Sequence, residues 1–376
     1  MAPIKKIKIL QTIRQGKVGG GETHVLDLVK ELDKDQFESV ILSFTEGPMV
    51  EKLKADGFKT YVVPTEKPFN YKVWDAVKQI LKDEKIDLVH AHGTRANSNT
   101  YNPAKKLNIP SIYTVHGWSF HPDQHPLVKL VRTLSERFLV KVARKTICVS
   151  ESNLREGASK FPMPRAEVIV NGINQVKFNP DQQYKDIRAE FGVAKDQILV
   201  GYIARITAQK EPLTYLQAIA KIPAELNLKF LIVGDGDLKA EMLQLAKTLN
   251  LESRIIFENF RDDIPAILHG IDIFCLPSLW EGLPIALLEA MAMRKAIIAT
   301  AIDGTKDLVT DKVNGLLIST SNPDQLAEAI ISLAKDEKLR ADMGKAAGEL
   351  IKSNFNIETM TRKVEAVYRN VLASKA

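Results

Sequence analysis

Residues Ile273-Phe274-Cys275-Leu276-Pro277-Ser278-Leu279-Trp280-Glu281-Gly282-Leu283-Pro284-Ile285-Ala286-Leu287-Leu288-Glu289 read as a strand, a turn and the start of a helix. The apolar run 273–276 ends at Pro277-Ser278, Gly282 and Pro284 belong to a turn, and 285–293 reads as helix. The same unit recurs around it, with strand-like runs at 199–204, 229–233, 255–257 and 296–300. The first half repeats the scheme at 7–10, 39–44, 88–90, 111–115 and 146–149, with helical patterns such as 23–32 and 73–83 between the runs. Strands alternating with helices predict parallel sheets covered on both faces, joined by right-handed crossovers. The expected fold class is therefore α/β, with two doubly wound domains facing a deep cleft between them.

A chain of 376 residues fits two domains at about 100–200 residues each. Asn171-Gly172 is a turn signal at the head of a weakly periodic stretch, 171–183, rich in Asn, Gln and Pro. The expected division is 1–175 and 176–356, with an amphipathic helix at 357–376 packing back on the first domain. No apolar run approaches the roughly 20 residues that span a bilayer. Residues 1–10 run into a strand without a signal core. Cys148 and Cys275 each sit in an apolar strand, which suits buried free thiols. Together these features point to the cytoplasm.

In open α/β sheets ligands bind beyond the carboxyl ends of the strands, so the junctions there carry the chemistry. In the quoted stretch the backbone N–H groups of the turn Gly282-Leu283-Pro284 face outward for an anion. Glu281 precedes that turn and Glu289 lies about one helical turn inside; paired carboxylates accept hydrogen bonds from sugar hydroxyls. Arg205 and Lys210 follow the strand at 199–204 and can reach one diphosphate, the first as a planar fork and the second as a point charge. Gly19-Gly20-Gly21-Glu22 offers close backbone approach before a helix N-terminus. The spacings of a dinucleotide fingerprint and of a phosphate-loop ATPase are both absent. His92-Gly93 and His116-Gly117 also follow strands, where a histidine can donate, accept or clamp substrate. His90, His92, His116, His121 and His125 complete no recognisable metal-ligand spacing, so no metal or other cofactor is expected.

These motifs, in this order along nearly the whole chain, resemble the family-4 glycosyltransferases, retaining enzymes with two Rossmann-like domains. Gly20 and Gly21 resemble the family's phosphate-contacting glycine loop, and Thr114-Val115-His116-Gly117 its Thr-x-His segment. Asn171-Gly172-Ile173 with Phe178 and Pro180 resembles the interdomain linker, and Val233-Gly234-Asp235-Gly236 the glycine turn near the nucleotide. Glu281 to Glu289 matches the E-x7-E signature. The resemblance implies His116 and Glu281 as the catalytic pair. It implies donor binding by Gly20, Gly21, Arg205, Lys210, Gly234, Arg261, Gly282, Leu283, Pro284 and Glu289, and acceptor binding by His92 and Trp118. The sequence departs from the pattern at Ala204, Glu211, Asn259, Arg294 and Ala296, none of which removes a ligand-binding side chain.

The function so implied is retaining, metal-independent transfer of a hexose or N-acetylhexosamine from a nucleotide sugar, UDP by family frequency. The acceptor is a saccharide or a lipid-linked saccharide, in the synthesis of cell-surface polysaccharide or glycolipid. Residues 1–180 carry 28 Lys and Arg against 19 Asp and Glu, and the remainder 24 against 27, so the positive charge lies in the first half. Within 129–145, six cations alternate with Leu130, Leu134, Phe138, Leu139 and Val142. This is either a core-facing helix with a wet basic side, preferred on the sequence alone, or a helix lying on anionic lipid at the inner face of the membrane, with Trp118 and Phe120 entering the interface. A nucleotide-sugar epimerase and a non-catalytic nucleotide-sugar-binding protein remain as alternatives. No nucleic-acid motif accompanies the basic residues.

Overall fold

The computed structural model describes residues 5–16, 19–121 and 124–374. The start of the expected N-terminal strand pattern, residues 1–4, lies outside them. The chain divides after Gly172 and again after Asn356, where the sequence reading set 175 and 356. One unit comprises 1–172 with 357–376, the other 173–356.

The first unit is built on β1 (Ile7–Ile13), β2 (Phe37–Ser43), β3 (Lys59–Val62), β4 (Leu88–His92), β5 (Ser111–Val115), β6 (Lys145–Cys148) and β7 (Ala166–Val168). They form one sheet in the order β3-β2-β1-β4-β5-β6-β7, every pair parallel. The second unit carries β8 (Ile198–Ile203), β9 (Leu228–Val233), β10 (Ile255–Glu258), β11 (Ile273–Leu276), β12 (Ala296–Thr300) and β13 (Leu316–Ile318). Their order is β10-β9-β8-β11-β12-β13, again all parallel. In each sheet the order reverses beside the first strand, β1 next to β4 and β8 next to β11, and a ligand crevice opens at such a switch point.

The central strands are buried on both faces, which is why they read as unbroken apolar runs. The helix Ile357–Ala373 returns to the first sheet. Its Ile357, Met360, Val364, Val367, Tyr368 and Val371 pack against Ile9, Leu28, Leu88, Ile112 and Ile147. Those positions repeat at helical spacing, and full burial of each such side chain is worth about 1.5–3 kcal/mol.

Two of the departures from the family pattern have a backbone correlate. Glu211 and Arg294 both adopt left-handed conformations, φ +52° and +54°, which glycine enters without steric cost. Each also makes side-chain bonds. The Glu211 carboxylate accepts from the Thr214 hydroxyl at 2.6 Å, and the Arg294 guanidinium donates to both oxygens of Asp181 at 2.9 and 3.1 Å.

Candidate active site

In the second unit the loops after β8 and β11 meet because those strands are neighbours. Arg205 follows β8 directly, and Lys210 closes the single 3-10 turn Ala208–Lys210. Gln209 ties the two loops together: its side chain donates to the Trp280 carbonyl at 2.7 Å and accepts from Arg205 at 3.4 Å, while its own carbonyl accepts from Leu279 N–H at 2.8 Å. Lys210 Nζ is thereby brought onto the Glu281 carboxylate, both side chains largely buried. Glu289 sits in the helix Ile285–Ala292, buried like Gly282, Leu283 and Pro284 before it. Gly304 lets its own loop cross this turn: a Cβ there would meet the Gly282 carbonyl at 2.5 Å.

The glycine turn after β9 completes this face. A Cβ on Gly234 would lie 2.0 Å from the Ala204 carbonyl, and one on Gly236 2.2 Å from that of Ile206. The missing side chains allow Ile206 N–H to bond the Asp235 carbonyl at 2.9 Å, so the turn sits against the Arg205 loop. Arg261, beyond β10, is held differently. Its guanidinium is gripped by Asp263 and Glu190 at 2.7–3.2 Å, and these bonds raise its pKa further. A phosphate would have to compete with both carboxylates for it.

In the first unit the ends of β1, β4 and β5 assemble a chain of imidazoles. Gln11 Nε2 donates to the Tyr368 hydroxyl at 3.0 Å, and that hydroxyl lies 2.7 Å from His90 Nδ1. His90 Nε2 lies 2.7 Å from Thr114 Oγ1. Gln11 Oε1 is then free to accept from His92 Nε2 at 3.1 Å, which leaves the lone pair of His92 Nδ1 facing His116 Nε2, 3.1 Å away. His24, which the sequence reading passed over, adds a fourth ring. Its centroid is 4.8 Å from that of His116 and 5.5 Å from that of His92. Burial lowers all four pKa values, His24 to about 4 and His90 to about 3. Neighbouring imidazoles add to the drop at His92 and His116, with Arg14 a smaller cause at His116. His116 is therefore a neutral hydrogen-bonding group near pH 7.

The glycine segment differs from the expected loop. The helix spans Gly20–Glu31, so Gly20 and Gly21 form its first turn and their N–H groups lack intrahelical acceptors. The His116 ring packs 3.5 Å from where a Cβ on Gly21 would stand. Trp118 and Phe120 also require correction. They are 3% and 1% exposed, stacked on one another in a core with Phe161, and the Trp118 indole N–H is spent on the Asn153 carbonyl at 2.8 Å. Neither ring reaches a membrane interface, and Trp118 presents no open face to an acceptor. Apolar aromatic residues beside a site are more often its foundation than its surface.

A residue absent from the sequence reading fixes this loop. Glu136, wholly buried in the helix Pro126–Val142, accepts from Thr94 Oγ1 at 2.6 Å, Tyr113 OH at 2.8 Å and Ser119 N–H at 3.2 Å. Burial pushes its pKa up while these donors pull it down.

Residues 18–176 match the family model described as Glycosyltransferase Family 4, and residues 183–368 that of Glycosyl transferases group 1. The chain belongs to this glycosyltransferase family. It is 30% identical over 98% of both chains to the UDP-Gal:alpha-D-GlcNAc-diphosphoundecaprenol alpha-1,3-galactosyltransferase of Escherichia coli. It is 28% identical, over 92% of this chain and 96% of the relative, to the N,N'-diacetylbacillosaminyl-diphospho-undecaprenol alpha-1,3-N-acetylgalactosaminyltransferase of Campylobacter jejuni. Its fold matches Anabaena HepE, solved with UDP and glucose, at a TM-score of 0.84 and 22% identity over 96% of this chain and 99% of that one.

Proposed function

We propose that this chain transfers a hexose or N-acetylhexosamine from a UDP-sugar to a lipid-linked saccharide, with retention at the anomeric carbon and without a metal cofactor. The observation that carries the reading is the convergence of Arg205, Lys210 and Glu281 at the β8–β11 switch point, beside a helix start. On this reading the second unit holds the nucleotide. Arg205, Lys210 and the N–H groups at the start of the Ile285–Ala292 helix receive the charge that grows on the leaving diphosphate. Glu289 accepts from the ribose hydroxyls, Glu281 from those of the donor sugar, and the neutral His116 of the first unit orients the reacting hydroxyl. The names of the Escherichia coli and Campylobacter jejuni relatives support a polyprenyl-diphosphate acceptor. An epimerase or a non-catalytic binder, left open by the sequence, is not what the family match supports.

The test is turnover with a panel of UDP-sugars on a polyprenyl-diphosphate-linked monosaccharide in the presence of EDTA, with product stereochemistry read by NMR. Transfer with retention is expected. Glu289→Ala should raise the KM for donor by about 10–100-fold, the worth of a hydrogen bond to a charged group. An unchanged KM, or a demand for added metal, would overturn the corresponding part of the reading.

The helix Pro126–Val142 supports a lipid surface as the place of reaction. Its Leu127, Leu130, Val131, Leu134 and Phe138 are 67, 55, 62, 53 and 40% exposed, and their spacing sets them on one helical face. The expected core-facing helix is thus inverted: Glu136, Leu139 and Val140 are the buried residues, and the apolar stripe looks outward. Arg132, Arg137 and Lys141 are exposed along it, and the helix's single acid, Glu136, is buried. Apolar insertion flanked by cations suits anionic lipid. Among the described residues no helix is long and apolar enough to cross a membrane. Flotation with vesicles containing anionic lipid should recover the protein at low salt and lose most of it at about 1 M salt, where the Debye length is about 3 Å. Leu130→Glu with Leu134→Glu should abolish flotation without changing the melting temperature. Equal recovery of this variant would exclude the helix as the contact.

A further inference from the structure

We infer that His24, His92 and His116 form a transition-metal site that takes zinc, and that zinc bound there occupies the His116 ring and inhibits transfer. Their candidate ligand atoms all lie within 4.8 Å of one another. The first pair, His92 Nδ1 and His116 Nε2, is already 3.1 Å apart. Tetrahedral zinc with Zn–N bonds of about 2.0–2.1 Å needs N···N separations of about 3.3 Å, so this edge of the tetrahedron is preformed. The third ligand comes from His24, a ring 5% exposed whose Nε2 has no hydrogen-bond partner among the described residues. An orphaned buried nitrogen costs free energy, and a metal ion recovers it.

The surrounding groups complete the case. Gln11 Oε1 accepts from His92 Nε2 and so fixes the tautomer that turns the Nδ1 lone pair toward His116. A carbonyl partner on the far ring nitrogen is the usual outer-shell support of a zinc histidine. His116 needs only to move its ring proton from Nε2 to Nδ1 by exchange with solvent. It is the least buried of the three and gives the ion its way in, leaving the fourth coordination position for water. Arg14, a cation close enough to act on His116, is paired with the buried Glu22 carboxylate at 3.6 Å, which reduces its repulsion of the incoming ion. Imidazole donors, borderline in softness and without a carboxylate in the set, favour zinc over magnesium or calcium.

Binding is independent of the proposed reaction; only the inhibition rests on it, through His116. The experiment is equilibrium dialysis of the full chain against Zn²⁺ after EDTA treatment, with Co²⁺ as a spectroscopic probe. About one zinc per chain and the intense visible absorption of four-coordinate cobalt are expected. His24→Gln should weaken zinc binding at least tenfold, and His125→Gln, which alters an exposed histidine outside the cluster, should not. Zinc should raise the melting temperature of the parent protein and not that of His24→Gln. In the transfer assay zinc should inhibit, EDTA should restore turnover, and His24→Gln should need at least ten times more zinc. Zinc uptake unaffected by His24→Gln, or weak six-coordinate cobalt absorption from the parent protein, would overturn the site. Tight His24-dependent binding without inhibition would leave the site standing and overturn the block. If His24→Gln does not fold, the cobalt spectrum of the parent protein decides.

Discussion

Lys210→Ala should lower kcat by about 10²–10³-fold, the usual consequence of losing one group that stabilises transition-state charge. The resting structure gives this variant a second, separable effect. Lys210 Nζ sits on the Glu281 carboxylate, with the two side chains 14% and 8% exposed. Removing the cation alone strands a buried carboxylate, which costs up to about 3–5 kcal/mol. Replacing both partners, as in Lys210→Ala with Glu281→Gln, removes the stranded charge. The double variant should therefore melt closer to the parent protein than Lys210→Ala does, while turnover stays low. A double variant that regains turnover together with stability would show that Lys210 matters only as a structural counter-ion. Lys210→Ala with turnover within threefold of the parent protein would remove it from the diphosphate site.

Glu136→Ala should be among the most destabilising single changes in the first unit. Three donors point at this carboxylate: the Thr94 hydroxyl, the fully buried Tyr113 hydroxyl and the Ser119 amide. Stranding them costs about 1–3 kcal/mol each. A total of about 3 kcal/mol or more should lower the melting temperature of a unit this size by about 10 °C. Glu136→Gln keeps the volume and one acceptor oxygen and should recover much of the loss. Because Ser119 lies three residues beyond His116, Glu136→Ala should also reduce transfer measured well below its melting temperature, whereas a purely remote core defect would leave it unchanged. Equal melting temperatures for Glu136→Ala and Glu136→Gln would show that the three donors find other partners.

Much of this was legible in the sequence, for reasons visible in particular elements. β11 and β12 are buried on both faces, so their apolar runs stand out and their bounds, Ile273–Leu276 and Ala296–Thr300, read directly. β3, β7 and β13 went unread. Each has only three or four residues, lies at a sheet edge and is mostly half-buried, so neither a continuous run nor a clean alternation marks it. Arg205, Lys210 and Glu281 could be named because strand ends are where parallel sheets bind ligands, though their ion pair could not. His24 escaped notice because it is one turn into a helix, far in sequence from the other histidines. Only the adjacency of β1, β4 and β5 brings their side chains to it. Glu136 hid in a helix whose basic and apolar pattern suggested a wet outer face for every charge. The reversed burial of that helix is a tertiary fact that periodicity alone does not orient.

The return of the last helix has a consequence for biosynthesis. Ile9, Leu28, Leu88, Ile112 and Ile147 are all translated early, yet the side chains that cover them, Met360 to Val371, are made only after the whole of the second unit. Residues 173–356 form a contiguous unit that can close as soon as it emerges. The ordinary amino-to-carboxyl order of domain folding can thus reverse: the later-made unit can finish first, while the earlier one keeps an open hydrophobic face until its returning helix has been made. A stop codon near position 356 would spare the second unit and leave the first uncapped, its apolar face open to chaperones.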